Sequence, residues 1–313
     1  MYPKTSELEQ ELVARLKENA PGNSRAMSAT IIALSSKADA DEVDRWIEAL
    51  MGRRPARLLH LRGFSPDGLH SWSSARCALD RQERGICFED VYIETPDEAA
   101  YQGRVWGPLV LRELPAILLW TLGPELLISC EYDCSERVDV TIINGSWDLR
   151  RYKRGIALYR ESILGALNAS NPLVDITWER LLPLRYAFSR LFDAAYAKAI
   201  NDLRSVSIHV SDPWALLLLK GWIHDRTRGQ TIHIDGHLET TYTEFSGSII
   251  CDFSDDTSAG MEIVTSKSAR LQYRDGRILQ ISLPESSMGA TLERIVDSPV
   301  MDALYKRALL AAS

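Results

Sequence analysis

Short apolar runs and amphipathic segments alternate through the first half of the chain. The run Ala29–Leu34 predicts a buried strand, Asp39–Met51 has apolar residues at helical spacing, and Arg57–Arg62 predicts a second strand. A helix between two strands supplies the crossover that parallel pairing needs, so this segment predicts a βαβ unit. Further strands are predicted at Ala75–Asp80, Ile86–Ile93, Ala116–Leu122 and Val138–Ile143, and further helices at Thr5–Lys17 and Leu149–Leu167.

The second half has a different pattern, in which helices are followed by a series of short strands. Pro183 can occupy the first turn of a helix that runs to Asp202, and Asp212 before a proline is a typical start for the helix Trp214–Asp225. Later, Asp275 and Gly276 indicate a hairpin turn. The predicted strands are Val206–Val210, Thr231–Ile234, Ser248–Phe253, Met261–Val264, Ala269–Arg274 and Ile278–Ser282, and the last predicted helix is Thr291–Leu310.

The chain has 313 residues, which is long enough for two domains. The segment Asn168–Pro172 combines turn-forming residues with a proline, and it is the predicted boundary. We therefore expect a Rossmann-like α/β domain over residues 1–170, followed by an α+β domain with a mainly antiparallel sheet over residues 171–313.

Composition and charge exclude several classes of function. The 36 Lys and Arg residues are outnumbered by 43 Asp and Glu residues, and the resulting net charge of −7 argues against general nucleic-acid binding. The first 20 residues carry charges throughout, and the longest apolar runs are too short to span a membrane. We therefore expect a cytoplasmic protein with neither nucleic acid nor a membrane as its partner.

The positions where nucleotide-binding and catalytic motifs are expected carry other residues. Residues Ser35–Ala38 follow the first strand without a glycine, whereas a dinucleotide site needs G-x-G-x-x-G there. The sequence also contains no phosphate loop G-x-x-x-x-G-K-[ST] and no nucleophile elbow G-x-S-x-G. Because these motifs are missing from the sequence, we predict no catalytic residue and no cofactor.

Three polar residues near the middle of the second half have the spacing of metal ligands. On a strand, His233, Asp235 and His237 would project from one face and could bind a metal. Exposed polar side chains at a sheet edge explain the same pattern, and Gly236 interrupts the strand. The second explanation is favoured, so no metal is predicted.

Five cysteines are spread along the chain, and two of them are close in sequence. Cys130 and Cys134 could form a disulfide if their Cα atoms come within about 7 Å of each other. A zinc ion would need two further ligands, which this segment does not supply. Chance spacing is favoured, and a redox pair is the alternative.

The most distinctive segment is Asp175–Asp193, DITWERLLPLRYAFSRLFD, in which Trp178, Arg180 and Arg185 surround a proline. It resembles the motif D-x-x-W-x-R-L-x-P-W-R, followed by L-F-D, of the OpcA family, the glucose-6-phosphate dehydrogenase assembly or activator proteins. Leu184 stands where many members carry Trp. Similar blocks in the same order extend the resemblance over nearly the whole chain: Ala29–Leu34, Arg57–Leu61, Leu114–Trp120, Ala215–Arg226 with Trp222, and Asp302–Leu309.

The resemblance implies a non-catalytic, allosteric activator that binds glucose-6-phosphate dehydrogenase in the oxidative pentose phosphate pathway. It would promote the active oligomer of that enzyme or raise its affinity for substrate. Trp178, Arg180, Arg185 and Trp222 are the candidates for partner binding or for joining the domains. Some cyanobacterial members are similar but add redox control through thioredoxin, which makes thioredoxin a partner if Cys130 and Cys134 are redox-active.

Two other functions remain open. A sugar-phosphate or nucleotide enzyme would use the α/β domain, with His233, Asp235 and His237 as its site. A small-molecule sensor would keep the pocket of that domain without its chemistry. Turnover that is lost on His233→Ala would indicate the enzyme, and ligand-induced thermal stabilisation would indicate the sensor.

Overall fold

The computed structural model describes most of the chain. The described residues are 27–50, 53–64, 70–79, 85–95, 106–127, 137–152, 155–168, 172–192, 197–227, 230–239 and 246–312, together with Gln10 and Ala14. The predicted helix Thr5–Lys17, apart from Gln10 and Ala14, therefore lies outside them, as do the cysteines Cys130 and Cys134. No helix within these ranges is both long enough and apolar enough to cross a membrane.

Two compact units make up the structure, and each is discontinuous in sequence. The first contains Met1–Asn144, Glu161–Val174 and Met288–Val300. The second contains Gly145–Arg160, Asp175–Ser287 and Met301–Ser313. The division of the sequence at residue 170 stays a prediction.

The helices in the described residues are α1 Ala40–Glu48, α2 Gly145–Arg151, α3 Ile156–Ala166, α4 Ile176–Arg180, α5 Leu182–Arg190, α6 Pro213–Arg226, α7 Met288–Asp297 and α8 Ala303–Ala311, with 3₁₀ turns at Gly107–Leu109 and Ala197–Asp202.

The first sheet is built around the predicted βαβ unit. Strand β1 pairs in parallel with β2 on one side and with β5 on the other. Every residue of β1 is buried, as expected for a central strand of a parallel sheet covered on both faces. The strands of this sheet in the described residues are β1 Ala29–Ser35, β2 Ala56–Phe64, β3 His70–Leu79, β4 Gly85–Thr95, β5 Ala116–Trp120, β6 Val140–Ile143 and β7 Leu173–Asp175, in the order β3-β4-β2-β1-β5-β6-β7.

The second sheet is mainly antiparallel, as predicted, with one parallel pair between β8 and β9. Its buried face includes Val206, Ile208 and Val210 of β8, which alternate with more exposed residues. The predicted hairpin is present, and Gly276 adopts a φ of 81° in its turn. The strands are β8 Leu203–Val210, β9 His233–Leu238, β10 Gly247–Phe253, β11 Ser258–Thr265, β12 Ser268–Gln272 and β13 Ile278–Ser282, in the order β13-β12-β11-β10-β8-β9 within the described residues.

The predictions of one continuous helix over Leu149–Leu167 and over Thr291–Leu310 were wrong, because each segment contains two helices. Gly155 precedes α3 with a φ of 89°, which a right-handed helix does not accommodate. Pro299 lies between α7 and α8, and it lacks the N–H group that a continuous helix would use. Asp302 then starts α8 by accepting a hydrogen bond from the N–H of Leu304 at 2.8 Å.

The predicted helix from Pro183 to Asp202 is also too long. Helix α5 ends at Arg190, and the next two N–H groups donate to carbonyls three residues earlier. Such bonds tighten the last turn of a helix and are typical of its end. Residues Ala197–Asp202 form a separate 3₁₀ helix.

Candidate functional site

The switch point of the first sheet lies between β1 and β5, where strand order reverses, and this is where Rossmann-like sheets bind ligands. Here the chain's own groups occupy that position. The N–H and hydroxyl of Thr121 donate to the carbonyl of Leu34 at 3.3 and 2.9 Å. Gly63, with a φ of 75°, approaches the backbone so closely that a Cβ on it would lie 2.4 Å from the nitrogen of Lys37.

A Ser–His–Asp arrangement, which the sequence analysis missed, lies beside this switch point. The Oγ of Ser35 is 2.8 Å from Nε2 of His60, and Nδ1 of His60 is 2.8 Å from Oδ1 of Asp44. The order of atoms is that of a catalytic triad. However, Ser35 and His60 are fully buried, and burial lowers the pKa of His60. The arrangement therefore holds β1, β2 and α1 together by hydrogen bonds without presenting a nucleophile to solvent.

The carboxylate of Asp175, in the second unit, accepts four hydrogen bonds from described residues. Its Oδ1 accepts from the N–H groups of Gly145 and Thr177 at 3.0 and 2.8 Å. Its Oδ2 accepts from Nε1 of Trp214 at 2.7 Å and from the hydroxyl of Tyr305 at 3.0 Å. Burial raises the pKa of Asp175, and these donors oppose the shift. Four donors fit an ionised carboxylate, so we assign the negative charge to Asp175.

A second buried carboxyl, that of Asp148, belongs to the same cluster. The hydroxyl of Tyr159 donates to its Oδ2 at 3.2 Å. Burial and the negative charge of Asp175 raise the pKa of Asp148 well above its ordinary value. Burial and the neighbouring carboxylates likewise raise the pKa of Tyr159 and Tyr305. Within the cluster, the hydrogen-bond donors favour the charged form of Asp175, and burial beside that charge favours the protonated form of Asp148.

Hydroxyl groups connect this cluster to a second helix-capping carboxylate, Asp212. Ser146 donates from Oγ to Oδ1 of Asp212 at 2.7 Å and receives a hydrogen bond from the hydroxyl of Thr177 at 3.0 Å. Asp212 also accepts from the N–H of Ala215 at 2.8 Å, which caps α6. Carboxylates at helix N-termini are favourable because the N–H groups there lack partners within the helix.

Trp178 and Arg185, two of the predicted site residues, form one buried group. The guanidinium carbon of Arg185 lies 3.7 Å from the centroid of the Trp178 ring, a cation–π contact. Trp178 Nε1 donates to Oδ2 of Asp302 at 2.8 Å, and Nη1 of Arg185 lies 3.5 Å from the same oxygen. Since Asp302 caps α8, this group fixes the start of that helix. Burial lowers the pKa of Arg185.

The other two predicted residues lie elsewhere in the second unit. Nε of Arg180 donates to the carbonyl of Ser286 at 3.0 Å. Trp222 is 7% exposed and packs edge-on against Phe188, with ring centroids 5.6 Å apart. The role of all four residues in partner binding stays a prediction.

The candidate metal ligands share one face of β9, as their spacing predicted. Nε2 of His233 is 3.0 Å from Oδ1 of Asp235, and the ring of His237 stacks on His209 with centroids 4.6 Å apart. Within the described ranges, no three His, Cys, Asp or Glu side chains are grouped so that they could hold a metal ion. Cys251 is buried in the same sheet, and burial raises the pKa of its thiol to about 12.

Comparison with protein families gives two matches that follow each other along the chain. Residues 47–158 match an OpcA family described as the N-terminal domain of the glucose-6-phosphate dehydrogenase subunit. Residues 171–309 match an OpcA family described as the C-terminal domain of the same subunit. Among curated proteins, no sequence matches this chain.

Two solved structures resemble the chain over most of its length. A dehydrogenase from Chromobacterium violaceum is 9% identical, with 91% of this chain and 92% of that chain aligned and a TM-score of 0.48. A candidate oxidoreductase from Klebsiella pneumoniae is 8% identical, with the same coverage and a TM-score of 0.44. At this level of identity, the likeness concerns the fold alone.

We predict that Trp214→Phe destabilises the protein more than Trp222→Phe does, although both residues lie on α6. Trp214→Phe removes a donor to the buried Asp175 carboxylate, and hydrogen bonds to charged groups contribute about 1.5–3 kcal/mol. Urea unfolding of both variants measures the difference, with Trp222→Phe as the control for lost indole volume. Equal free energies of unfolding would show that the Asp175 contact contributes nothing.

We predict that Asp148→Asn changes the dependence of stability on pH. A carboxyl whose pKa is raised by folding destabilises the folded state as pH rises above the unfolded value near 3.8. The Asn variant keeps an acceptor for Tyr159 and loses this penalty. Its melting temperature should match wild type near pH 4 and exceed it at pH 8. Asp256→Asn, at a side chain that is 90% exposed, is the control, and parallel melting curves for Asp148→Asn and wild type would contradict the prediction.

Proposed function

Because this chain belongs to the OpcA family of glucose-6-phosphate dehydrogenase assembly proteins, we propose that it is a non-catalytic partner that binds and activates that dehydrogenase. The observation that carries the proposal is the match of both family domains, in order, over residues 47–158 and 171–309. The partner is inferred from the descriptions of those families.

The geometry of the polar clusters supports a role without catalysis. The Ser35–His60–Asp44 arrangement is closed to solvent at its serine and histidine. The carboxylates of Asp148 and Asp175 are buried too, and the donors around Asp175 all come from helices of its own unit or their first residues. The first arrangement joins β1, β2 and α1, and the buried carboxyl groups join helices of the second unit.

Activation by a partner has a definite physical requirement. The protein must bind the active state of the dehydrogenase more tightly than the inactive state, because equal affinity for both states shifts no equilibrium. A coupling free energy of about 1–3 kcal/mol, typical of allosteric proteins, changes substrate affinity by about 5- to 150-fold. The proposal places this coupling in the cytoplasm and in the oxidative pentose phosphate pathway, with thioredoxin as a further partner if Cys130 and Cys134 form a redox pair.

Reconstitution with the dehydrogenase of the same organism tests the proposal. We expect a stable complex in analytical ultracentrifugation and a fall in the KM for glucose 6-phosphate, or a larger active oligomer, on adding this protein. Heat-unfolded protein is the control, and each measurement is made under reducing and oxidising conditions. The absence of a complex together with unchanged kinetics under both conditions would refute the proposal.

A further inference from the structure

An open groove of about 390 Å³ lies in the second unit, between helix α6 and strand β9. Leu216 and Leu217 of α6 form one wall, and Ile234 of β9 forms another. Helix α6 also contributes Pro213, Lys220 and His224. The remaining lining residues are Ile156 at the start of α3, Ala311 and Ala312 at the end of α8, and Ile232 before β9. Eight of these ten lining residues are apolar, and Lys220 and His224 add polar surface to the groove.

Glycines hold the walls of this groove close together. A Cβ on Gly236 of β9 would lie 2.8 Å from Cδ1 of Leu216, so the strand lies in close contact with this side chain of the helix. A Cβ on Gly221 of α6 would lie 2.0 Å from the carbonyl oxygen of Ala308, so glycine is also needed where α6 meets α8. The distance between α6 and α8 is thus set by a backbone contact, and the distance between α6 and β9 by the packing of Leu216 on Gly236.

The apolar surface continues beyond the groove. Leu238 follows Ile234 on the same face of β9 and is 56% exposed. Contiguous exposed apolar surface is typical of protein–protein contact sites. Strand β9 also lies at the edge of its sheet, with β8 as its neighbour in the described residues. An edge strand offers unpaired N–H and C=O groups to a further strand.

Two basic side chains lie within this apolar lining. Lys220 and His224 are one helical turn apart on α6, and both line the groove. Among the described residues, the ammonium of Lys220 has no ion pair and no hydrogen bond, unlike the Arg307 guanidinium, which pairs with Asp225 at 2.8 Å. A lysine side chain that is half-buried beside apolar residues is complementary to an apolar ligand that carries a carboxylate.

We propose that this groove docks an extended apolar segment of glucose-6-phosphate dehydrogenase that carries an Asp or Glu. The segment pairs with the open edge of β9, places apolar side chains against Leu217 and Ile234, and sets its carboxylate against Lys220. The inference rests on the proposed function. The exposed Leu238, on the same strand face as Ile234, favours a protein segment over a small molecule, because a ligand that fills only the groove would leave it uncovered.

The test measures binding of the dehydrogenase to Lys220→Glu and Leu238→Asp by isothermal titration calorimetry. Each places a negative charge in the contact, and we expect the Kd to rise at least tenfold. The matched controls are Lys267→Glu, at an exposed turn, and Leu279→Asp, at the opposite edge of the sheet, and both should stay within about twofold of wild type. Thermal melts confirm that each variant is folded.

Lys220→Met separates charge from structure, since it keeps the apolar stem. We expect a smaller rise in Kd than for Lys220→Glu and a weaker dependence of binding on salt. If wild type binds the dehydrogenase and all groove variants bind equally well, the groove is overturned as the docking site and the proposed function stands. If wild type itself does not bind, both proposals are overturned.

Discussion

A buried carboxylate has to be surrounded by donors, and in this protein that requirement organises the second unit. Removing an ionised carboxylate from water costs several kcal/mol unless hydrogen bonds replace the lost solvation. Asp175 obtains its four donors from α2, α4, α6 and α8, so each of these helices has to be in place for the charge to be tolerated. The close packing leaves little freedom, because a Cβ on Gly145 would lie 2.0 Å from Nε1 of Trp214.

The motif that first suggested a family reflects this requirement. Its first residue is Asp175, and its tryptophan and last arginine, Trp178 and Arg185, hold the cap of α8 through Asp302. Leu184 of the same segment is also buried. Such a motif specifies how helices pack.

Local patterns in the sequence were sufficient for much of the fold. The continuous apolar run of β1, the cap and proline before α6, and the Asp-Gly hairpin each depend on neighbouring residues, and each was predicted correctly. The breaks at Gly155 and Pro299 were missed, because apolar residues keep helical spacing on both sides of them. The site was harder to predict. Ser35 and His60 are 25 residues apart, and Asp175 and Tyr305 are 130 apart, so only the tertiary fold brings them together.

The long separation between Asp175 and Tyr305 has a consequence for synthesis of the chain. At about 5–20 residues per second, a ribosome needs roughly 7 to 26 s to add the 130 residues between them. During that time the Asp175 carboxylate lacks at least one of its four donors, because α8, which carries Tyr305, is not yet made. The second unit is therefore completed only at the last helix, and until then chaperones and proteases meet it in an unfinished state.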